Sequence, residues 1–398
     1  MRSFYTATDA EIKKGDTTDV YLVRTEQILE ANGLATTSVL AEVTTGSLPL
    51  DWPWAVITGV EEQVHLLEGK PVDVDAFPEG TLFRSRGVNG YRTPVMNIEG
   101  PYGSFCRFET PLLGLICQSS GISTAAARIR KAARDKTVIN FGARRVHPCL
   151  APLIGRAAYI GGLDGVSSLA AAKLLGITPT GTMPHALIVL FGDQIEAWKA
   201  FDEVVPDDVP RIALVDTYYD EKTEAIMAVE ALGEKLWGIR LDTPRSRKGD
   251  FADIIREVRW ELDIRGFHSV KVFVSGGLDD QTVAELDRAG ADGFGVGTWV
   301  SNAPVIDFAM DIVQKNGKPV AKRGKLGGKK QVWRCEHCLT DLVLPSNTPE
   351  PQCPTCTSQM IPMLKPLLRN GNVVATLPTP IEIRDYVIRQ LNIIQSHS

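Results

Sequence analysis

The sequence predicts an α/β protein whose central domain is a barrel of alternating β-strands and α-helices. Short apolar runs recur through the middle of the chain, each run ends in a charged residue or in glycines, and a helix-forming segment follows each one. The clearest runs are Ala213–Asp216, Ile239–Asp242, Phe273–Gly277 and Phe294–Thr298. In such barrels the functional groups lie where the strands end, and a phosphate is commonly bound after the last two strands. The glycines that end the last two runs therefore predict a phosphorylated substrate.

Seven strands are predicted for this central domain, which extends over residues 114–312. They begin near Val138, Tyr159, Pro179, Arg211, Leu236, Val270 and Gly293. Helical segments are predicted between them, at 166–175, 194–201, 222–236, 251–262 and 281–289. A doubly wound parallel sheet would produce a similar alternation. The barrel is favoured because no Gly-x-Gly-x-x-Gly turn follows the first strand, as it would in a dinucleotide-binding sheet.

A different pattern precedes the barrel, in residues 1–113. After a helix at 19–32, frequent glycines and prolines separate short apolar segments, of which 55–60, 64–67 and 95–98 are predicted strands. This domain is therefore expected to be α+β with an open antiparallel sheet. A helix is predicted at 108–134, and the run Ser119–Gly121 is expected to break it into two pieces.

The last predicted domain, residues 313–398, opens with a basic segment that contains no acidic residue. Its charged residues are Lys315, Lys318, Lys322, Arg323, Lys325, Lys329, Lys330 and Arg334. A solvated loop beside a site that handles anions is the favoured interpretation, because Trp333 is the one aromatic residue interleaved with these charges. A nucleic-acid-binding patch is the alternative, although the formal net charge of −5 gives it no general support.

Two Cys-x-x-Cys pairs follow this segment, Cys335 with Cys338 and Cys353 with Cys356. Four thiolates at this spacing can face one ion and form a closed tetrahedral site, so a structural zinc is predicted. Disulfides or free thiols are the alternatives, but the thioredoxin-like pattern expected around a redox pair is missing. The other cysteines are scattered, as expected of reduced thiols, and no apolar run is long enough to cross a bilayer. The protein is therefore expected to be cytoplasmic.

Two carboxylates, Asp216 and Asp242, end successive predicted strands. Arg240 precedes Asp242 by two residues, and residues two apart on a strand point to the same side, so both side chains should reach the barrel mouth. Helix capping is the alternative, with most weight at Asp216 because Thr217 and Lys222 follow it. The matched positions of the two carboxylates favour a catalytic site.

Further candidates come after other strands of the predicted barrel. Phe141 and Arg144 follow the first strand, where an aromatic ring and a guanidinium can bind a flat anionic ring. Thr182 and His185 follow the third strand, and the hydroxyl in a tight turn supports a functional histidine, with an ordinary loop residue as the open alternative. Glycines after the last two strands can bring backbone N–H groups close to a phosphate. These glycines are Gly276, Gly277, Gly295 and Gly297, and Thr298 follows the last of them.

The order of these motifs resembles that of the nicotinate phosphoribosyltransferases, the type II phosphoribosyltransferases of NAD biosynthesis. The resemblance is to the archaeal-type branch with a zinc knuckle, and it extends over the whole chain. The motifs that carry it are Thr18–Tyr21, Phe141–Arg145, Gly181–His185, Arg240–Thr243 and Gly295–Thr298, with Glu99–Pro101 and Glu109–Leu113 in support.

The resemblance implies a binding site for a pyridine ring. Phe141 and Arg240 would enclose the ring, and Arg144 and Thr182 would hold its carboxylate. Tyr21 would reach into the active site of a neighbouring subunit, so a homodimer or larger homo-oligomer with shared active sites is expected.

The resemblance also implies the reaction, in which nicotinate and 5-phosphoribosyl-1-pyrophosphate form nicotinate mononucleotide and pyrophosphate. Asp216 and Asp242 would orient the ribose hydroxyls and Mg²⁺, while the four glycines and Thr298 would hold the 5-phosphate. His185 would be phosphorylated by ATP as a co-substrate, which couples ATP hydrolysis to product formation. Lys322 and Lys325 are candidates for contacts with the leaving pyrophosphate.

Other functions stay open at this point. Quinolinate and nicotinamide are rival ring substrates, and quinolinate, with two carboxylates, would need more basic residues than Arg144, Arg145 and Arg240. An unrelated sugar-phosphate barrel enzyme is a further alternative, for which a catalytic lysine at a strand end would be expected. Neither a nucleic acid nor a membrane is expected as a partner.

Overall fold

The computed structural model describes residues 3–244, 246–247 and 249–396. The chain forms two compact units. The first comprises Met1–Thr124, Ile160–Gly162 and Ala303–Ser398, and the second comprises Ala125–Tyr159 and Leu163–Asn302. Each unit has a β-sheet of its own.

The β-strands are numbered along the chain. They are β1 (Ser38–Thr45), β2 (Ala55–Val56), β3 (Asp73–Ala76), β4 (Leu82–Phe83), β5 (Pro94–Pro101), β6 (Thr137–Asn140), β7 (Gly165–Val166), β8 (Ile212–Leu214), β9 (Gly238–Leu241), β10 (Lys271–Ser275), β11 (Gly293–Val296), β12 (Phe308–Lys315), β13 (Lys318–Pro319), β14 (Lys330–Arg334), β15 (Asp341–Pro345), β16 (Ile361–Pro362), β17 (Lys365–Arg369) and β18 (Asn372–Val373).

The α-helices are numbered in the same way. They are α1 (Asp9–Lys14), α2 (Val20–Ala31), α3 (Val60–Leu67), α4 (Glu109–Ala133), α5 (Ala151–Ile160), α6 (Leu169–Leu175), α7 (His185–Phe191), α8 (Gln194–Val204), α9 (Glu221–Leu232), α10 (Phe251–Ile264), α11 (Asp280–Arg288), α12 (Thr298–Ser301) and α13 (Pro380–Ser396).

The second unit is built on a parallel sheet in the order β7-β6-β11-β10-β9-β8. The strands are mostly buried, and α6, α8, α9, α10 and α11 overlap the predicted helices, whereas α5 and α7 were not predicted. All carboxyl ends therefore meet at one edge of the sheet. The protein is a mixed α/β fold, and the strand ladder of the described residues is open between β7 and β8.

Two of the seven predicted barrel strands are wrong. Tyr159 lies in helix α5, whose buried residues Ala151, Ile154 and Ala158 recur at helical spacing. The segment that begins at Pro179 has no strand assignment in the described part of the chain, because its prolines lack the N–H that a ladder needs. It nevertheless runs beside β7, since Thr180 N donates to Val166 O at 2.9 Å.

The first unit is built on a largely antiparallel sheet in the order β13-β12-β1-β5-β3-β17-β18. β1 is buried from Val39 to Thr45 and lies between β12 and β5. This confirms the open antiparallel sheet expected before the barrel. The sheet also recruits strands from the C-terminal part of the chain, so that part contributes directly to the same core.

Two predictions for the first unit are wrong in detail. Residues 64–67 belong to helix α3 and are not a strand, because Val60, Val64 and Leu67 repeat at helical spacing and are buried. Helix α4 continues through the predicted break at Ser119–Gly121. A Cβ at Gly121 would lie 2.2 Å from Pro304 O, so this glycine allows close packing and does not end the helix.

Acidic side chains of the first unit compensate much of the basic segment. The pairs are Lys322–Asp311 (2.6 Å), Lys325–Asp311 (2.6 Å), Lys329–Glu99 (3.1 Å), Lys329–Asp75 (3.3 Å), Lys330–Glu42 (2.7 Å) and Arg334–Asp341 (2.7 Å). The charge run that suggested a nucleic-acid patch is therefore largely an internal ion-pair network. No helix in the part of the chain that the structure describes is long and apolar enough to span a membrane.

Candidate active site

The second unit contains a cavity of about 570 Å³ at the carboxyl ends of its parallel strands. Eleven of the sequence-predicted residues line it, and they come from segments far apart in sequence. They are Phe141, Arg144, Thr182, His185, Arg240, Asp242, Gly276, Gly277, Gly295, Gly297 and Thr298. Asp216 lies directly behind this lining, within 3.6 Å of His185. The strand order brings these residues together, as the strand-end pattern predicted.

Asp216 and Asp242 lie beside the imidazole of His185. The distances from His185 Nε2 are 3.6 Å to Asp216 Oδ1 and 3.8 Å to Asp242 Oδ2. The backbone N–H of Asp242 donates to Asp216 Oδ2 at 2.7 Å, and Ser275 Oγ donates to Asp242 Oδ1 at 2.6 Å. These bonds fix both carboxylates across three neighbouring strand ends. Neither carboxylate caps its following helix, because α9 and α10 begin with the N-caps Asp220 and Asp250.

Burial gives Asp216 an unusual electrostatic state. Its side chain is 3% exposed, and Oδ1 has no hydrogen-bond partner among the described residues. Desolvation raises the pKa of this carboxyl from 3.8 to about 6, against the lowering effect of His185. A buried carboxylate oxygen with spare acceptor capacity is suited to a cation or to a ligand hydroxyl.

Arg240 lies close to the aromatic and hydroxyl groups predicted to act with it. Its Nη1 donates to Thr182 Oγ1, and its Nη2 lies 3.8 Å from Asp242 Oδ2. The Cζ atom lies 5.9 Å from the centroid of the Phe141 ring. The Nε atom is buried and unpartnered among the described residues, and burial lowers the pKa of the guanidinium. A partly desolvated guanidinium beside an aromatic face provides a binding surface for a flat anion.

The glycines at the strand ends are needed for different structural reasons. Gly276 and Gly277 have φ angles of 92° and 71°, which favour glycine and expose their backbone to the cavity. At Gly295 a Cβ would lie 2.3 Å from Phe141 Cε2. Gly295 therefore makes room for the aromatic ring, whether or not it also contacts a phosphate. Gly297 has space for a side chain beyond its Cα, with the nearest atom at 3.5 Å.

Sequence reasoning missed several groups that support this site. Thr217 Oγ1 lies 3.0 Å from His185 Nδ1, and Thr243 Oγ1 contacts both Asp216 Oδ2 and Glu221. Glu224 is fully buried and accepts the backbone N–H groups of residues 217–219. The sequence signal for these groups was the pair Glu221 and Glu224 at the start of α9, because side chains three residues apart share one helix face.

The remaining predicted residues lie in the first unit. The Tyr21 side chain is largely exposed there, and burial together with Glu109 and Asp19 raises the pKa of its phenol. Lys322 and Lys325 both bind Asp311, with exposed side-chain fractions of 67% and 10%. Asp311 thus already partners the two lysines that were candidates for contacts with pyrophosphate.

The four clustered cysteines converge as their spacing predicted. The Sγ atoms of Cys335, Cys338, Cys353 and Cys356 all lie within 4.8 Å of one another. The two Cys-x-x-Cys turns have matching hydrogen bonds, because the residue after each turn donates its N–H to the first cysteine carbonyl at 2.9 Å. The thiols therefore form a cluster that could hold a structural zinc ion.

Comparison with known families places this architecture among phosphoribosyl-transferring enzymes. Residues 19–120 match the family described as "Quinolinate phosphoribosyl transferase, N-terminal domain", and residues 122–311 match the corresponding C-terminal domain family. A nicotinate phosphoribosyltransferase of Mycobacterium tuberculosis (pncB1) is 31% identical over 319 residues, which cover 76% of this chain and 68% of the relative. The nicotinate phosphoribosyltransferase of Bacillus subtilis is 29% identical over 80% of this chain and 72% of its own length.

Solved structures show the same relationship. The crystal structure of a nicotinate-nucleotide pyrophosphorylase from Pyrococcus furiosus is 53% identical in sequence, with 99% of each chain covered and a TM-score of 0.95. Human nicotinic acid phosphoribosyltransferase shares the fold at 20% identity, with 94% of each chain covered and a TM-score of 0.72.

The parallel sheet, the carboxylates at its edge and these relatives together define a type II phosphoribosyltransferase. The chain belongs to the nicotinate phosphoribosyltransferase family.

Proposed function

We propose that this enzyme transfers the phosphoribosyl group of 5-phosphoribosyl-1-pyrophosphate to nicotinate, and so acts in the biosynthesis or salvage of NAD. The single observation that carries the proposal is the cavity itself, which combines an aromatic–guanidinium pair, two carboxylates and two glycines with positive φ. These groups correspond to the three parts of the product, namely the anionic ring, the ribose and the phosphate. The names of the curated relatives support the same substrate.

The pyridine ring would bind between Phe141 and Arg240. A stacked ring needs about 3.5 Å on each face, or about 7 Å in total. The present 5.9 Å between Arg240 Cζ and the Phe141 centroid is shorter, so nicotinate would displace the guanidinium from Thr182. Arg144 would then pair with the ring carboxylate, since it lines the same cavity.

The carboxylates would stabilise charge that develops on the ribose. The pyridine nitrogen attacks C1 as pyrophosphate leaves, so positive charge builds on the sugar, and Asp216 and Asp242 lie where they can oppose it. No general base is needed, because the attacking nitrogen carries no proton. The unpartnered Asp216 Oδ1 and the Asp242 carboxylate also have the oxygen chemistry that Mg²⁺ prefers, and this ion would neutralise charge on the leaving pyrophosphate.

His185 would couple ATP hydrolysis to this transfer as a phosphohistidine. Its imidazole lines the cavity at the start of α7, close to both carboxylates. Nδ1 would be the acceptor, because Nε2 faces two carboxylates that favour a proton there, and the Thr217 hydroxyl would turn from Nδ1 toward the bound phosphoryl group.

The resemblance supports further proposals about organisation. The sheet order, with Thr180 bound to β7, supports an incomplete barrel in which the segment from Pro179 takes the seventh position. The functional division would be into residues 1–113, 114–312 and 313–398, in a cytoplasmic homo-oligomer whose Tyr21 completes a neighbouring active site. The cysteine cluster would hold structural zinc, which has no open coordination position for catalysis.

Quinolinate is the second candidate for the ring substrate. The observation in its favour is that Arg144, Arg145 and Arg240 all line the cavity, together with the names of the matching domain families. Quinolinate carries a second carboxylate, which would need a cation in addition to Arg144. Arg145 is the group that could supply it.

The test offers nicotinate, nicotinamide and quinolinate separately to the purified protein with Mg²⁺ and phosphoribosyl pyrophosphate, with and without ATP. Mononucleotide from nicotinate is expected, and Arg240→Ala should raise the KM for nicotinate about 10- to 100-fold with a smaller effect on phosphoribosyl pyrophosphate. His185→Ala should abolish ATP hydrolysis and leave some transfer. Product from quinolinate alone would establish the second candidate, and equal losses for both substrates in Arg240→Ala would contradict the ring site.

A further inference from the structure

Glu224 is a buried carboxylate without a cationic partner in the part of the chain that the structure describes. It is 0% exposed, and no Lys, Arg or His side chain forms an ion pair with it in the described ranges. Its charge is compensated by three backbone N–H groups instead. Thr217 N donates to Oε2 at 3.1 Å, and the N–H groups of Tyr218 and Tyr219 donate to Oε1 at 2.7 and 2.9 Å. Such an arrangement is costly to bury, which indicates a specific role.

The loop that Glu224 holds lies between Asp216, just beyond the end of β8, and the start of helix α9. It begins directly after Asp216, and its first residue, Thr217, places Oγ1 at 3.0 Å from His185 Nδ1. Glu224 therefore binds the backbone of the same residue whose side chain contacts the imidazole. Three N–H bonds leave the backbone of this short loop little freedom to carry Thr217 away from the ring.

The groups around the other ring nitrogen, Nε2, indicate whether the Thr217 hydroxyl donates or accepts the hydrogen bond at Nδ1. Nε2 faces Asp216 Oδ1 and Asp242 Oδ2 at 3.6 and 3.8 Å, and an ionised carboxylate can only accept a hydrogen bond. A proton on Nε2 is therefore favoured. In the neutral ring Nδ1 is then an acceptor, and the Thr217 hydroxyl donates to it.

We propose that Glu224 is a positioning residue, which holds Thr217 so that its hydroxyl keeps His185 in the tautomer with the proton on Nε2. The functional consequence rests on the proposed role of His185 in ATP coupling. The lone pair on Nδ1 is kept in one direction, and the ring keeps one orientation toward the cavity. Removal of either partner would let the imidazole rotate or change tautomer.

The variants separate the two steps of this argument. Thr217→Val removes the hydroxyl and keeps the side-chain shape, whereas Thr217→Ser retains the hydroxyl and should rescue the wild-type behaviour. Glu224→Gln keeps the size of the side chain but turns an amide NH₂ toward backbone N–H donors. Glu230→Gln, on the exposed side of the same helix, is the matched control for loss of a negative charge on α9.

The first readout is the tautomer of His185, measured by ¹⁵N chemical shifts of labelled histidine and assigned with His185→Ala. Wild type, Thr217→Ser and Glu230→Gln should show the Nε2-protonated form over the pH range where the ring is neutral. Thr217→Val and Glu224→Gln should show mixed or averaged shifts. Wild-type shifts in both of these variants would overturn the proposal, even if their activity fell.

The second readout is the rate of ATP hydrolysis in the presence of both substrates. Loss of an orienting partner of a functional histidine typically costs about 10- to 100-fold, and a loss of this size is expected in Thr217→Val and Glu224→Gln. If wild-type protein failed to hydrolyse ATP, the proposed coupling would be wrong, while the ¹⁵N shifts would still decide whether Glu224 and Thr217 set the tautomer. If Glu224→Gln failed to fold, Thr217→Val would decide the outcome.

Discussion

Buried charges are handled differently in the two units of this enzyme. In the first unit, Arg334 and Asp341 are both 2% exposed and form two parallel hydrogen bonds of 2.7 Å. In the second unit, Asp216 is similarly buried, but its Oδ1 has no hydrogen-bond partner among the described residues, and the His185 imidazole lies 3.6 Å away. One arrangement satisfies its charges internally, and the other leaves capacity for a ligand.

The contrast explains why buried charge alone does not mark a function. A carboxylate that is matched by a planar guanidinium gains structural specificity but has nothing left to offer a substrate. A carboxylate whose pKa is raised by burial carries a charge that is poorly solvated until a cation or hydroxyl binds to it. The predictions below test this difference, from the largest expected effect to the smallest.

Loss of the proposed zinc from the cysteine cluster should have the largest effect on the first unit. We expect about one zinc per chain by elemental analysis, and its removal by a chelator should unfold the C-terminal segment because metal binding and folding are coupled there. Cys353→Ser should do the same, whereas Cys149→Ser, an exposed cysteine outside the cluster, should retain metal and stability. Loss of catalysis on chelation with an intact fold would contradict a structural ion.

Breaking the Arg334–Asp341 pair should have the next largest effect on the free energy of unfolding. Arg334→Ala leaves a buried carboxylate unpaired, which typically costs about 3–5 kcal/mol of unfolding free energy. The double variant Arg334→Met/Asp341→Leu removes both charges and should recover most of this loss. Urea denaturation measures both values. A double variant as unstable as Arg334→Ala would show that the pair itself, and not the orphaned charge, sets the cost.

Asp216→Asn should increase the free energy of unfolding, whereas Arg334→Ala decreases it. The native carboxyl holds its proton more tightly than the unfolded one, so the unfolding free energy of the wild type falls as pH rises from about 4 to about 6. Asparagine has no charge to desolvate. The variant should therefore be more stable than wild type by up to about 3 kcal/mol at pH 8, and by about 1–2 kcal/mol less at pH 5.

The same substitution should reduce catalysis. Loss of an oriented charge that stabilises the transition state typically costs about 10²- to 10³-fold in kcat, and the affinity for nicotinate should change less. Denaturation curves and initial rates at pH 5 and pH 8 give both quantities. A destabilised Asp216→Asn would mean that the negative charge is compensated in the free enzyme.

The sequence predicted which residues would lie together better than it predicted the sheet around them. Asp216, Arg240 and Asp242 were identified because buried strands that end in charged residues must present them at one edge. Pro179 and Tyr159 misled the strand assignment, since apolar content alone does not distinguish a strand from a buried helix or an irregular edge segment.

Supporting groups were less predictable than the groups they support. Glu224 acts through backbone N–H groups of a loop, and such contacts depend on the loop conformation rather than on any residue pattern. The basic segment shows the reverse problem. Its charges are contiguous in sequence, but their acidic partners, such as Glu42 and Asp311, come from strands far away along the chain.

Substitution of Lys322 or Lys325 should have the smallest effect on stability. Both side chains bind Asp311 at 2.6 Å, so the two variants can separate an ion-pair role from a contact with pyrophosphate. Lys325 is 10% exposed and also contacts Thr44, so Lys325→Ala should cost about 1–3 kcal/mol of stability. Lys322 is 67% exposed, and Lys322→Ala should cost less than about 1 kcal/mol, measured by urea denaturation. If Lys322 also receives the leaving pyrophosphate, this variant should raise the KM for phosphoribosyl pyrophosphate at nearly unchanged stability. An unchanged KM would assign Lys322 to the internal ion-pair network alone.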